Sequence, residues 1–178
     1  MKAPILVTDR LRLRGHALAD FEAEYAMWSD PQVTRFITGK ASTEAESWTR
    51  MLRYVGHWEL LDYGYWAITD KTSGLFLGEL GFADFKRDLT PALTTPEIGW
   101  GLTSPAHGKG YATEAVRAVT AWADQRWART SCIISPTNTP SLRIADKCGY
   151  REHARTTFAG EPTILFERLA QSSAGATR

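Results

Sequence analysis

One glycine-containing segment, Ser104-Pro-Ala-His-Gly-Lys-Gly-Tyr-Ala-Thr-Glu114, has residue types and a spacing that suit the binding of a phosphate group. Gly108 and Gly110 lack a Cβ atom, so the backbone there can turn tightly and direct several N–H groups to one point. Apolar periodicity predicts a helix from about Lys109, and the first four N–H groups of a helix have no intrahelical acceptor. Because the helix dipole also makes this end positive, the segment predicts a pyrophosphate site. A plain strand-to-helix turn would use the same two glycines, so the segment alone leaves both interpretations open.

Two commoner phosphate-binding motifs do not fit this region. A P-loop needs Ser or Thr directly after Gly-Lys, but Lys109 is followed by Gly110. A dinucleotide fingerprint would begin at Gly99-Trp-Gly101, but Ser104 replaces its third glycine and no helix is predicted to begin there. The sequence therefore argues against a nucleotide-hydrolysing domain and against a dinucleotide-dependent redox domain.

Hydrophobic periodicity defines the elements that must position this segment, because a period of two predicts strands and steps of three and four predict helices. The predicted strands are 9–14, 63–69, 75–85, 94–103, 131–135, 150–158 and 163–169. The predicted helices are 17–28, a short piece at 31–37, a helix from Thr43 to Leu60, 109–127 and 140–148. Thr43 with Glu46 three residues later is a capping signal for the third of these helices.

This order of elements predicts one α+β domain over residues 1–170, followed by a flexible C-terminal tail at 171–178. We expect a mixed, mostly antiparallel sheet with helices on both faces. The strand 94–103, the helix 109–127 and the strand 131–135 form a predicted βαβ unit, whose strands should be parallel neighbours joined by a right-handed crossover.

The composition excludes several classes of protein. The chain has 178 residues, of which 43% are hydrophobic and 23% charged, as in one globular domain. A formal net charge of +1 gives no global attraction to nucleic acid or to an anionic membrane. The two cysteines and four scattered histidines lack zinc-site spacing, and no apolar run near the start is long enough for a signal or a span. We therefore expect a cytoplasmic protein with no metal, no nucleic-acid partner and no membrane partner.

Three motifs together resemble the GNAT superfamily of acyl-CoA-dependent N-acetyltransferases, and within it the RimJ/RimL-type branch. The motifs are Glu97-Ile-Gly-Trp-Gly-Leu102, His107-Gly-Lys-Gly-Tyr-Ala-Thr-Glu-Ala115 and the run from Asn138 to Tyr150. The resemblance extends over about residues 8–169 and implies acetyl-CoA as co-substrate and a parallel strand pair that splays apart. His107 departs from the family's Gln or Arg, but that position contributes mainly its backbone N–H, so the change should be tolerated.

The same resemblance implies which residues contact the coenzyme. Six consecutive backbone N–H groups would bind the pyrophosphate, those of His107, Gly108, Lys109, Gly110, Tyr111 and Ala112. The backbone of Trp100, Gly101 and Leu102 would pair with the pantetheine arm, and Gly101 would suit a bulged strand. The N–H of Leu102 would polarise the thioester carbonyl. Asn138 would bond to the pantetheine or the phosphates; its alternative is a turn residue before Pro140.

The candidates for moving protons are one serine and two glutamates. Ser141, the only hydroxyl-bearing side chain of the predicted helix 140–148, would contact the coenzyme and protonate the departing thiolate. A serine near a helix start is also a common cap, and Tyr150 is the alternative donor. Glu97, which we favour, and Glu79 are the candidate bases, because a carboxylate among apolar residues has a raised pKa and can accept a proton. Either glutamate could instead be a solvent-facing strand residue.

The main functional prediction is an N-acetyltransferase that acts by direct attack in a ternary complex. Its acceptor would be a protein N-terminal α-amine or a small amine. The acceptor pocket would be formed by the first half of the chain, which is rich in aromatic residues. We nevertheless expect most of these large side chains to lie in the core, namely Trp28, Trp48, Trp58, Tyr65 and Trp66. The alternative is a catalytically silent coenzyme A-binding module, because the helix 140–148 lacks the tyrosine of many GNAT enzymes and the base is undecided. A homodimer is implied by the resemblance alone.

Overall fold

The computed structural model describes residues 2–171, so the predicted tail lies outside the described residues except for Gln171. The strands are β1 (Leu6–Val7), β2 (Leu11–Arg14), β3 (Tyr65–Asp70), β4 (Phe76–Ala83), β5 (Glu97–Leu102), β6 (Arg129–Ile134), β7 (Arg151–Phe158) and β8 (Glu161–Leu169). The helices are α1 (Phe21–Ser29), α2 (Pro31–Thr34), α3 (Glu44–Leu61), α4 (Tyr111–Ala123) and α5 (Thr139–Lys147). Short 3-10 helices lie at Leu18–Asp20 and Ser104–Ala106. No helix within residues 2–171 has both the length and the apolar character that crossing a membrane would need.

The strands form one sheet in the order β1-β2-β3-β4-β5-β6-β8-β7. Neighbouring strands are antiparallel except β5 and β6, which are parallel. These two share a single register pair, Glu97 with Ser131, beside which the Ser131 N–H donates to the carbonyl of Pro96 at 3.1 Å. No further pair joins them within the described chain, so the predicted βαβ unit is confirmed and its two strands diverge toward their carboxyl ends.

Strand β4 shows how the two faces of the sheet are used. Leu80 and Phe82 lie in the main hydrophobic core with Val116 of α4. Glu79 points to the opposite face, where the indole N–H of Trp28 in α1 donates to its Oε1 at 3.0 Å. The expected α+β architecture, with helices on both faces of a mostly antiparallel sheet, is therefore confirmed.

The aromatic side chains of the first half are mostly core residues. Trp28, Trp58, Tyr65 and Trp66 are buried, and only Trp48 among the five is 39% exposed. The core interpretation of these residues is confirmed for four of the five.

Helix and strand ends differ from the predictions where the backbone imposes a limit. Helix α4 begins at Tyr111 rather than Lys109, because Gly110 is its N-cap with φ +81°. Strand β5 begins at Glu97 rather than residue 94, and Pro96 just before it has no N–H to donate to a ladder. The capping box at Thr43 is confirmed: the Glu46 N–H donates to Oγ1 of Thr43 at 3.2 Å, and the Thr43 N–H donates to Oε2 of Glu46 at 2.8 Å.

Candidate active site

The loop between β5 and α4 presents an array of unpaired backbone amides. Gly108 and Gly110 have φ of +73° and +81°, a left-handed conformation that favours glycine. Within residues 2–171, no acceptor is found for the N–H groups of residues 108–113, and residues 107–110 are exposed. These donors lie at the start of α4, where the helix dipole is positive, so the arrangement can bind an anion.

Arg10, just before β2, holds this loop in place. Its Nε donates to Oε2 of Glu114 at 2.7 Å, and its Nη1 donates to the carbonyl of Lys109 at 3.0 Å. Its guanidinium also lies 4.5 Å from the ring centroid of Tyr111. Sequence reasoning missed Arg10, because nothing in the spacing links it to a glutamate 104 residues away.

His107 is engaged differently from the expectation. Its backbone N–H donates to the carbonyl of Ser104 at 3.1 Å, and its Nε2 lies 2.9 Å from the carbonyl oxygen of Leu102. The predicted contact of the His107 N–H with a phosphate would therefore require the bond to Ser104 to open. The five amides of residues 108–112 need no such change.

The edge of β5 that faces the gap carries backbone groups that no neighbouring strand pairs with beyond Glu97, within the described residues. In an antiparallel pair alternate residues bond to the partner strand. Because the Thr103 N–H donates to the Leu77 carbonyl, the backbone of Gly101 faces β4 and the backbone groups of Trp100 and Leu102 face the gap. The Nε1 of Trp100 is also buried without a partner within the described residues. A ligand strand or arm in the gap would meet the backbone donors and acceptors of Trp100 and Leu102.

The expected bulge at Gly101 is wrong. The register of β4 with β5 runs without a shift from the pair Gly78–Leu102 to the pair Ala83–Glu97. Gly101 instead lies opposite Glu79, where an added Cβ would be 3.9 Å from its nearest neighbours.

Helix α5 begins at the same end of the sheet, directly after β6. Asn138 is its N-cap, with Oδ1 accepting from the Ser141 N–H at 3.2 Å. Ser141 is therefore not the cap, and its hydroxyl has no hydrogen-bond partner within residues 2–171. Tyr150 is buried with its hydroxyl 2.8 Å from Oγ1 of Thr130, and burial raises the pKa of this phenol. Ser141 thus has the freer hydroxyl.

Glu97 lies where β5 and β6 begin to separate. The Arg87 guanidinium donates to both carboxylate oxygens, from Nε at 2.6 Å and from Nη2 at 2.9 Å. Burial raises the pKa of Glu97, and the bonds to Arg87 partly oppose this effect. A partly open cavity of about 540 Å³ adjoins the pair; its lining residues are Tyr63, Ala83, Asp84, Phe85, Lys86, Arg87, Leu93, Thr94, Thr95, Pro96 and Glu97.

Glu79 is separate from this cavity and wholly buried. Burial, reinforced by the nearby Glu24 carboxyl, raises the pKa of Glu79 to about 7. His16 approaches the same place, with Nδ1 at 3.3 Å from Oε2 of Glu24. Sequence reasoning missed His16 and Glu24 as a group with Glu79, because residues from a loop, a helix and a distant strand share no spacing pattern.

The structure brings residues 108–112, Trp100, Leu102, Asn138 and Ser141 to the carboxyl ends of β5 and β6, with Glu97 at the opposite, closed end of the gap. A parallel pair that opens in this way beside a glycine loop is the architecture of an acetyltransferase domain. Residues 10–151 match the family model of the acetyltransferase (GNAT) domain, and the chain belongs to that family.

Related proteins agree with this assignment. A GNAT-family acetyltransferase from Bordetella pertussis has 32% sequence identity and a TM-score of 0.82, over 93% of this chain and 99% of that one. The uncharacterised N-acetyltransferase p20 of Bacillus licheniformis is 27% identical over 83% of this chain and 82% of its own length. The ribosomal L7/L12 α-N-protein acetyltransferase RimL, solved in complex with coenzyme A, has a TM-score of 0.76 at 13% identity, over 93% of this chain and 98% of that one. At that identity the likeness shows the fold alone.

Proposed function

We propose that this protein transfers an acetyl group from acetyl-CoA to a primary amine by direct attack in a ternary complex. The observation that carries the proposal is the set of unpaired amides at residues 108–113 beside the open edge of β5. One molecule that carries a diphosphate and an amide-containing arm would bind both features, the diphosphate at the unpaired amides and the arm along the open edge of β5.

In this proposal each part of the coenzyme has its own set of contacts. The N–H groups of residues 108–112 bind the pyrophosphate, and the charges of Lys109 and Arg10 add attraction. The backbone of Trp100 and Leu102 pairs with the pantetheine, while Gly101, whose backbone faces β4, contributes room. Asn138 keeps its Oδ1 on the α5 cap and uses its amide N–H groups toward the ligand.

The reaction requires stabilisation of a tetrahedral intermediate. The amine nitrogen attacks the thioester carbonyl carbon, and the carbonyl oxygen becomes an oxyanion. The Leu102 N–H, which faces the gap, donates to this oxygen. The bond between His107 and the Leu102 carbonyl fixes the end of the strand, so the donor is held before the reaction begins.

Ser141 and Glu97 move the protons. When the C–S bond breaks, the Ser141 hydroxyl protonates the thiolate, and solvent restores the serine. Glu97 is the final acceptor of the amine proton, and because it lies at the closed end of the gap, five residues before Leu102, the proton reaches it through a chain of waters. We place Glu97 ahead of Glu79 in this role because Glu97 adjoins the cavity of about 540 Å³, whereas Glu79 is wholly buried away from it.

The ion pair with Arg87 bears on the acceptor class. A carboxylate that already accepts two bonds from a guanidinium is a weakened base. An α-amine, with a pKa near 8, loses its proton more readily than a lysine-like amine near 10.4. We therefore propose a protein N-terminal α-amine, as in the RimJ/RimL-type branch, as the first acceptor to test and a small amine as the second.

The same ion pair also favours the second candidate function, a coenzyme A-binding module without turnover. The test measures thiol release from acetyl-CoA with N-terminal peptides, polyamines, amino acids and aminoglycosides, together with coenzyme A affinity by calorimetry. Release stimulated by an amine, and lost in Glu97→Gln, supports the transferase. Tight binding with no release for any acceptor supports the module, and absence of coenzyme binding overturns both.

A further inference from the structure

Three buried side chains meet on the face of the sheet that α1 covers, apart from the proposed reaction site. They are His16, between β2 and the first 3-10 helix, Glu24 of α1 and Glu79 of β4. Their side chains are 1%, 0% and 0% exposed. One ligand atom from each lies within 4.8 Å of the others.

The polar atoms of this cluster are largely without partners. Both ring nitrogens of His16, both oxygens of Glu24 and Oε2 of Glu79 have no hydrogen bond within residues 2–171. Buried polar groups are nearly always hydrogen-bonded, so five atoms without a hydrogen bond in one place are unusual, even though Nδ1 of His16 lies 3.3 Å from Oε2 of Glu24. An ion that these atoms ligate would satisfy them.

The neighbouring cations are committed elsewhere. Arg14 forms a bidentate pair with Asp20, at 2.6 Å for both bonds. The Arg50 guanidinium lies 3.7 Å from the centroid of the Trp28 ring and donates to Oγ of Ser42 at 3.3 Å. Within the described chain, no Lys or Arg forms an ion pair with Glu24 or Glu79, although the Arg50 charge acts on both carboxyl groups from a distance.

We propose that His16, Glu24 and Glu79 bind one divalent first-row transition-metal ion, with Zn²⁺ as the ion to test first. Two carboxylates and a neutral imidazole balance a charge of +2. An imidazole with two carboxylates is a ligand set that such ions accept. This site is independent of acetyl transfer and assigns to Glu79 a role other than that of the base.

The geometry is close to what such an ion needs. Bonds of about 2.0–2.2 Å to a tetrahedral ion put neighbouring ligand atoms roughly 3.3–3.6 Å apart. Nδ1 of His16 and Oε2 of Glu24 are already 3.3 Å apart, and the Glu79 carboxyl, which lies within 4.8 Å of both, would move closer on binding the ion. The bond from Trp28 to Oε1 of Glu79 leaves Oε2 for the metal and orients the carboxyl, as outer-shell partners do.

The test uses full-length protein stripped with EDTA and titrated with ZnCl₂ by calorimetry, and with CoCl₂ followed by visible absorption. We expect about one ion per chain and a rise in Tm with added metal. His16→Gln and Glu24→Gln, which keep similar size, should each weaken Zn²⁺ binding about tenfold or more. His57→Gln is the matched control, because His57 is a buried histidine outside the cluster whose Nδ1 lies 2.7 Å from the Arg53 carbonyl.

The variants distinguish Zn²⁺ binding at the cluster of His16, Glu24 and Glu79 from weak Zn²⁺ binding elsewhere on the surface. Absence of binding to the folded protein, or equal binding in wild type, His16→Gln and Glu24→Gln, would overturn the proposal. If one variant does not fold, which circular dichroism detects, the other decides. Coenzyme A affinity is measured on the same samples, so loss of metal binding and failure of the acetyltransferase proposal are read separately.

Discussion

A single charge placed at Gly108 gives the sharpest test of the phosphate loop. Gly108 has φ +73°, and a Cβ added there would meet no atom within 4 Å. Asn and Asp both tolerate this left-handed backbone better than other residues, and they have nearly the same shape. Gly108→Asp and Gly108→Asn therefore differ mainly in one negative charge, and Gly108→Asn is the control for strain.

The expected size of the effect follows from Coulomb's law. At a separation of about 6 Å, repulsion between the new carboxylate and one phosphate charge is about 0.7 kcal/mol in bulk water and about 2.8 kcal/mol at an effective dielectric constant of 20. The loop is exposed in the free protein and partly covered by the bound coenzyme, so the effective dielectric constant lies between these two values. We therefore expect the free energies of coenzyme A binding to the two variants to differ by about 1–3 kcal/mol. That difference corresponds to roughly 5- to 150-fold in the Kd for coenzyme A.

Calorimetric titration of coenzyme A at low and at high salt measures this difference. The gap between Gly108→Asp and Gly108→Asn should narrow as salt screens the charges, while the Tm of the two variants should stay similar. Equal Kd values at low salt in two folded variants would refute the assignment of residues 108–112 to a pyrophosphate.

Three further predictions concern proton transfer and the support of the loop. Arg87→Gln removes the cation that lowers the pKa of Glu97, so this pKa rises further and the acidic limb of kcat/KM should move to higher pH; an unmoved limb argues against Glu97 as the base. Ser141→Ala should lower kcat while leaving the Kd for coenzyme A within about twofold, since a lost hydroxyl donor affects the leaving group; a change in Kd alone would make Ser141 a coenzyme contact. Arg10→Gln removes the side chain that bonds to Glu114 and to the Lys109 carbonyl, and it should weaken coenzyme binding by about 1 kcal/mol, or roughly fivefold. Arg12→Gln, two residues further along the chain, is the control and should leave the Kd unchanged. Equal Kd values for coenzyme A in the two variants would contradict this role of Arg10.

The sequence predicted the framework because its signals are local. The stripe of apolar residues in α4 and the glycines at 108 and 110 are visible within one or two turns of chain, and the parallel arrangement of β5 and β6 follows from the helix between them. Element ends were less accurate, since α4 begins where Gly110 adopts a left-handed conformation, which no periodicity encodes.

The contacts that define the site could not be predicted, because they join residues distant in sequence. Arg10 meets Glu114 across 104 residues, and Trp28 meets Glu79 across 51. Even Arg87, ten residues before Glu97, lies in a loop whose path no propensity fixes. The pairing of His16 with Glu24 depends on how the connection after β2 folds back over α1.

Strand β5 shows why the coenzyme edge and the candidate base are coupled. Ile98, Trp100 and Leu102 turn their side chains toward the core on the α4 side, and the backbone groups of these residues face the gap. The alternate positions, Glu97 and the two glycines after it, bond to β4 and point to the opposite face. A register shift of one residue would exchange the two faces of the strand. It would place Glu97 in the core against α4 and would remove Ile98, Trp100 and Leu102 from that core. The two-residue period of a strand therefore couples the candidate base to the proposed coenzyme-binding edge, and neither could change position without the other.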